Sequence, residues 1–128
     1  MTEINLYAAW LGMLLGAIFG AIQGLFFHKA DWLGGYGSWE RRMTRLGHIA
    51  FFGIAFVNIA FVVTADVLGI EQEVALPSVL FIIGAIGMPL ICYLSALKKG
   101  FRHVFFIPAL SVIAGIVSLL WIIYSNQG

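Results

Sequence analysis

The sequence predicts an all-α, polytopic integral membrane protein: a single domain folded as a four-transmembrane-helix bundle. Three observations predict it. Four apolar runs each approach or exceed the roughly 20 residues that an α-helix needs to cross a hydrocarbon core. The composition is 62% hydrophobic and 10% charged, with a mean hydropathy of +1.01, against about 45–50% and about 25% in soluble domains. So few charges cannot cover a water-facing surface at this size, and lipid must be the solvent for much of the chain. Finally, every Lys and Arg lies between runs one and two or between runs three and four.

The first span is Leu6–Phe27. It lacks a basic leading segment and its apolar stretch exceeds that of a signal sequence, so it reads as a membrane span and not as a cleavable leader. Gly12, Gly16, Gly20 and Gly24 recur every four residues along it. Residues at that spacing stack on one helix face, leaving a smooth groove against which another backbone packs closely. The reading assigns this row as a packing interface, within the bundle or as a seam between copies.

The inner loop 28–45 follows. Gly34, Gly35 and Gly37 interrupt it, and Ser38 is placed to cap a helix starting near Trp39, with Glu40 in its first turn. Trp39 to Arg45 reads as a basic, partly amphipathic turn lying among the headgroups before the second span, Leu46–Ala65, enters the bilayer. The third span is Leu76–Leu97, with Pro89 expected to bend or unwind it. The fourth is Val104–Tyr124, where Pro108 falls in the first turns. Small residues on these spans (Ala50, Gly53 and Ala60; Gly84 and Gly87; Ser111, Gly115 and Ser118) are the partners available to the glycine row.

Charge sets the orientation. Lys29, Arg41, Arg42, Arg45, Lys98, Lys99 and Arg102 share one end with Asp31 and Glu40, a net +5, while Glu3, Asp66, Glu71 and Glu73 make the other end −4. The positive-inside rule puts the basic end in the cytoplasm and both termini on the non-cytoplasmic side. Tyr7, Trp10, Trp121 and Tyr124 would form the outer aromatic belt, and Trp32, Tyr36, Trp39 and Tyr93 the inner one. The expected location is a bacterial cytoplasmic membrane.

Polar residues inside the spans carry the functional reading. Gln23 and Asn58 are amides in an apolar setting, where an unpaired amide is expensive, so both should face the bundle. An interhelical hydrogen bond is the plain role and a cofactor contact the sharper one. His28 ends span one, His48 begins span two and His103 begins span four, so all three lie near the inner interface. Seven of the eleven phenylalanines lie within four residues of one of them. Imidazoles against an apolar aromatic wall suit a haem b or a quinone, with Arg102, Arg45 or Lys29 available to a propionate or ring carbonyl. The alternative is that two residue types common near interfaces simply meet there. A zinc or copper site lacks supporting carboxylate or thiolate spacing, and the metal is left undefined.

Several chemistries are excluded. There is no glycine-rich phosphate loop, no His-Glu-x-x-His pattern and, with the single Cys92, no Cys-x-x-Cys pair. No carboxylate lies in a span core to orient a histidine for nucleophilic catalysis or to relay protons. The basic residues hug the membrane, which argues against nucleic acid. The expected function is that of a small, non-catalytic integral subunit bracing or serving a redox or respiratory-type membrane complex. Its partners would be lipids and other membrane subunits, and its cofactor contacts His48, His103, His28, Asn58, Gln23 and Arg102. The alternative is a homo-oligomeric channel or carrier for a small solute, associated through the glycine row.

Overall fold

The computed structural model describes residues 2–127 and is all-α. Four long helices run Glu3–Phe26 (α1), Trp39–Leu68 (α2), Ala75–Leu97 (α3) and Phe106–Ser125 (α4), with short 3-10 segments at Trp32–Gly34 and Lys99–Val104. All four, the last counted with its 3-10 lead-in, are long and apolar enough to cross a membrane. The protein is an integral membrane four-helix bundle. Large hydrophobic side chains such as Trp10, Ile49, Ile86 and Leu120 stay exposed on every helix, as expected where acyl chains and not water surround the bundle.

The helix ends follow capping chemistry more closely than hydropathy. Ser38, in an extended conformation, accepts a hydrogen bond from the Arg41 amide at 3.1 Å and starts α2 at Trp39. The stretch from Trp39 to Arg45 is helical from Trp39, where the Ser38 cap predicts the start. It is the first part of a continuous helix of 30 residues, about 45 Å long against a core of about 30 Å. At the outer end Gly69 adopts a left-handed φ of 66°, and the Ile70 amide reaches back to the Ala65 carbonyl at 3.0 Å. That six-to-one bond closes α2. It also drops Ile70 and Val74 into a buried apolar plug with Phe61, Ala65 and Phe81. Helix α3 continues through Pro89 without interruption, and Pro108 occupies the first turn of α4, where a missing N–H matters least.

Helices α2 and α3 form the centre, with α1 packed mainly on α2 and α4 mainly on α3. Glycines set both outer contacts. A Cβ on Gly16 would press on the Phe52 ring and one on Gly20 on the His48 imidazole, while one on Gly12 would sit 3.3 Å from the Phe51 carbonyl oxygen. Three of the four glycines in the row are thus covered by α2 of the same chain; Gly24 has no neighbour within 4 Å. At those three positions the row is filled from within the chain. On the other flank, Gly84 and Gly87 of α3 receive Val112 and Pro108 of α4, and Gly115 of α4 receives Phe81. Gly53 meets nothing. Ser111 and Ser118 turn back to carbonyls of their own helix, a local bond that makes no interhelical contact.

Candidate functional site

Helix α1 has one inward polar residue near each end. Asn5 and Gln23 are eighteen residues apart, five turns and about 27 Å along one helix face. At the outer end Asn5 donates to the Asn58 side-chain oxygen at 2.7 Å and to the Ser78 carbonyl at 3.1 Å, and accepts from the Ser78 hydroxyl. The Asn58 amide nitrogen donates to the carbonyls of Ile54 at 3.0 Å and Phe81 at 3.4 Å. Both N–H donors of each amide are used and each oxygen accepts one bond, with both side chains fully buried. Asn58 therefore pins three helices together.

At the inner end the buried Gln23 amide donates to the Tyr93 hydroxyl. Tyr93 does not join an interfacial belt. Its ring fills the gap at Gly47 of α2 and lies 5.2 Å from the Phe19 ring and 6.0 Å from that of Phe51, while Phe19 and Phe51 stack at 5.6 Å. Three aromatic rings from three helices and one amide thus meet at one place.

The three rings line one end of a groove. Because α1 and α3 each lean on α2 and touch one another little, a cavity of about 620 Å³ runs between them. Ile4, Leu11, Leu15 and Phe19 form one wall, Ile82, Ile86, Pro89 and Leu90 the other, and Gly12 and Phe51 the floor; the only hydroxyls are those of Tyr7 and Tyr93. From Ile4 to Phe19 the wall is about 22 Å long. A groove of this length with an almost wholly apolar lining suits a hydrocarbon chain.

The histidines are distributed differently from the sequence expectation. His48 is half-buried in the α1–α2 seam, edge-on to Phe52 at 5.5 Å and against Gly20. His28 is exposed beyond the end of α1, and only its carbonyl is engaged, by the Tyr36 hydroxyl at 3.0 Å. His103 is exposed in the 3-10 segment that packs on α3. Among the described residues no three His, Cys, Asp or Glu side chains come together as a metal site would require. The three-histidine layer is not gathered by the fold, because two of its members lie in connecting segments outside the packed seams. Arg102 is exposed and donates to the Lys99 carbonyl at 3.1 Å. Cys92 is buried as a packing residue.

Arg41 is the residue whose role the sequence hid. It is 1% exposed, yet its Nε donates to the Trp32 carbonyl at 2.8 Å and its Nη2 to the Lys29 carbonyl, with no carboxylate partner among the described residues. The guanidinium carbon lies 4.3 Å from the Tyr36 ring centre, 5.2 Å from Trp32 and 5.6 Å from Phe27. A cage of π-faces takes the place of a counter-ion, and the loop 28–38 is wrapped around it. The density of aromatic residues in that stretch was the available signal.

Compared with family models, with characterised proteins and with solved structures, the chain matches none.

Proposed function

We propose that the protein is a small, non-catalytic membrane subunit that holds one lipid-soluble, hydrocarbon-tailed molecule in the α1–α3 groove. Within that class a quinone fits best, which ties the subunit to a redox-type membrane assembly. The observation that carries this reading is an apolar groove of about 620 Å³ between α1 and α3 with the Phe19, Phe51 and Tyr93 rings gathered at one end of its lining. A flat ring head suits stacked aromatic walls. The Tyr93 hydroxyl accepts from Gln23 and so keeps its own proton for a ring carbonyl. Most of the binding energy would come from the tail, with the two polar groups fixing orientation, as in apolar sites generally. The quinone is favoured over haem because the haem reading drew on the histidine layer. The channel reading loses its proposed seam at Gly12, Gly16 and Gly20.

The test is organic extraction of the protein purified in mild detergent from its native membrane, followed by the ultraviolet spectrum before and after borohydride reduction. A reducible quinone at near one equivalent is expected, retained by wild type and lost from Ala85→Trp, which puts an indole in the groove. Tyr93→Phe should retain the tail more weakly, by about tenfold for one hydrogen bond of about 1.4 kcal/mol. A preparation without any quinone would refute the proposed ligand, and equal retention by Ala85→Trp would refute the proposed place.

A further inference from the structure

Trp39, the first residue of α2, lies between two helices. Its indole N–H donates to the Ser95 carbonyl at 2.8 Å, one of the last-turn carbonyls of α3 that have no partner within their own helix. The ring is therefore held across the start of α2 and the end of α3. Two cations from different elements lie on it: the Arg42 guanidinium carbon 5.9 Å and the Lys99 nitrogen 5.1 Å from the ring centre. They are no more than 11 Å from each other, with Lys98 adjacent in the chain.

Among the described residues no carboxylate pairs with either cation. The hydrogen bond that Arg42 makes is a long one to the Ser38 carbonyl at 3.4 Å. Glu40 turns the other way, its carboxylate 3.7 Å from where a Cβ of Gly34 would lie, and Asp31 is exposed on the loop. The α3 dipole favours cations at its C-terminal end, which accounts for Lys98 and Lys99. Arg42 lies in the opening turn of α2, where the dipole repels a cation. Holding Arg42 there, beside a second positive charge, is electrostatically unfavourable until an anion arrives.

We propose that Arg42 and Lys99, braced on Trp39 and supported by Lys98, bind the phosphate of an anionic phospholipid headgroup. The side chains are exposed and lie at the basic end, at the depth where a tryptophan marks the headgroup region. Basic pockets formed where transmembrane helices meet bind such headgroups. Arginine offers two parallel N–H donors to phosphate oxygens and lysine a point charge. The tail of the same lipid lies along exposed Leu97 and Phe101. This site is separate from the α1–α3 groove and does not depend on it.

Native mass spectrometry of the full chain, released from phosphatidylcholine nanodiscs with and without phosphatidylglycerol, provides the test. Wild type should retain a phosphatidylglycerol through stepwise delipidation. The Arg42→Gln/Lys99→Gln double variant should bind it about thirty-fold more weakly at low salt, the effect expected for losing two interfacial charges. Arg42→Lys/Lys99→Arg keeps both charges and should retain the lipid, separating recognition from misfolding. Equal retention by wild type and the Gln double variant would overturn the proposal. So would displacement of the lipid by inorganic phosphate at comparable concentration, since the site would then take a free anion.

Discussion

Asn5 of α1 and Asn58 of α2 share a 2.7 Å hydrogen bond inside the bundle, and both amides are sealed from solvent. A lone interhelical hydrogen bond in a membrane contributes only about 0.6 kcal/mol on average, because the separated helices also find partners in lipid. Here the bond belongs to a network in which Ser78, Ile54 and Phe81 take the remaining N–H donors and the Ser78 hydroxyl donates to Asn5. Networks of this kind are worth more than isolated pairs, because breaking one member leaves the others unsatisfied.

Asn5→Leu should therefore destabilise the protein by about 2 kcal/mol, as it orphans the Asn58 oxygen and the Ser78 hydroxyl together. Asn58→Leu should cost a similar amount. The double variant should fall well short of the sum, since each replacement removes a group that the other had left stranded. Reversible unfolding in mixed micelles measures all three. Strict additivity would show that the two amides act independently.

The glycine row makes a second, graded prediction. Gly16→Ala and Gly20→Ala place a methyl against the Phe52 ring and the His48 imidazole, overpacking that should cost about 1–3 kcal/mol each. Gly24→Ala meets nothing within 4 Å and should be neutral or slightly stabilising, as alanine favours the helix. Ranking the thermal midpoints of the three variants checks this. A loss at Gly24 equal to that at Gly20 would mean that the row packs against a second molecule.

These contrasts show what was legible in the sequence. The spans were, because a helix in lipid must be apolar for about 20 residues, and the cap at Ser38 was, because its chemistry is local. The continuity of the helix that starts at Trp39 with the second span was not, since an apolar window does not register the backbone hydrogen bonds made by Arg41 and Arg42. Asn5 was passed over because it precedes the first apolar run, although its spacing of five turns from Gln23 placed it on the same face. Tyr93 has the depth of a belt residue, and only the gap at Gly47 on another helix turns it inward. The histidines were assigned a common depth, which can be read along a chain. The direction in which His28 and His103 project from connecting segments cannot.

Arg41 should prove more demanding than any other basic residue. Arg41→Lys keeps the charge but not the planar fork that reaches the Trp32 and Lys29 carbonyls, so the conservative replacement should fail. Arg41→Gln should cost about 3 kcal/mol locally, from lost charge-assisted bonds and the emptied aromatic cage. Hydrogen exchange is the suitable readout. Amides of residues 28–38 should lose protection in both variants while those of α3 and α4 hold theirs. A loss of protection spread evenly over the bundle would mean that Arg41 stabilises the whole fold and not the loop.

The histidine variants separate packing from ligation. His48→Ala empties the space at Gly20 and removes the edge contact with Phe52, a cavity that should cost about 1–2 kcal/mol. Gly20→Ala should then be better tolerated in the His48→Ala background than in wild type, because the added methyl enters the space vacated by the imidazole. His28→Ala and His103→Ala lie on exposed connecting segments and should stay within about 0.5 kcal/mol of wild type. The decisive measurement is the Gly20–His48 double-mutant cycle run beside the absorbance spectrum of each variant. Rescue in the cycle with an unchanged spectrum means that His48 packs. A pigment band in wild type that disappears with either His48 or His103 would mean that an imidazole ligates a chromophore and would restore the haem reading.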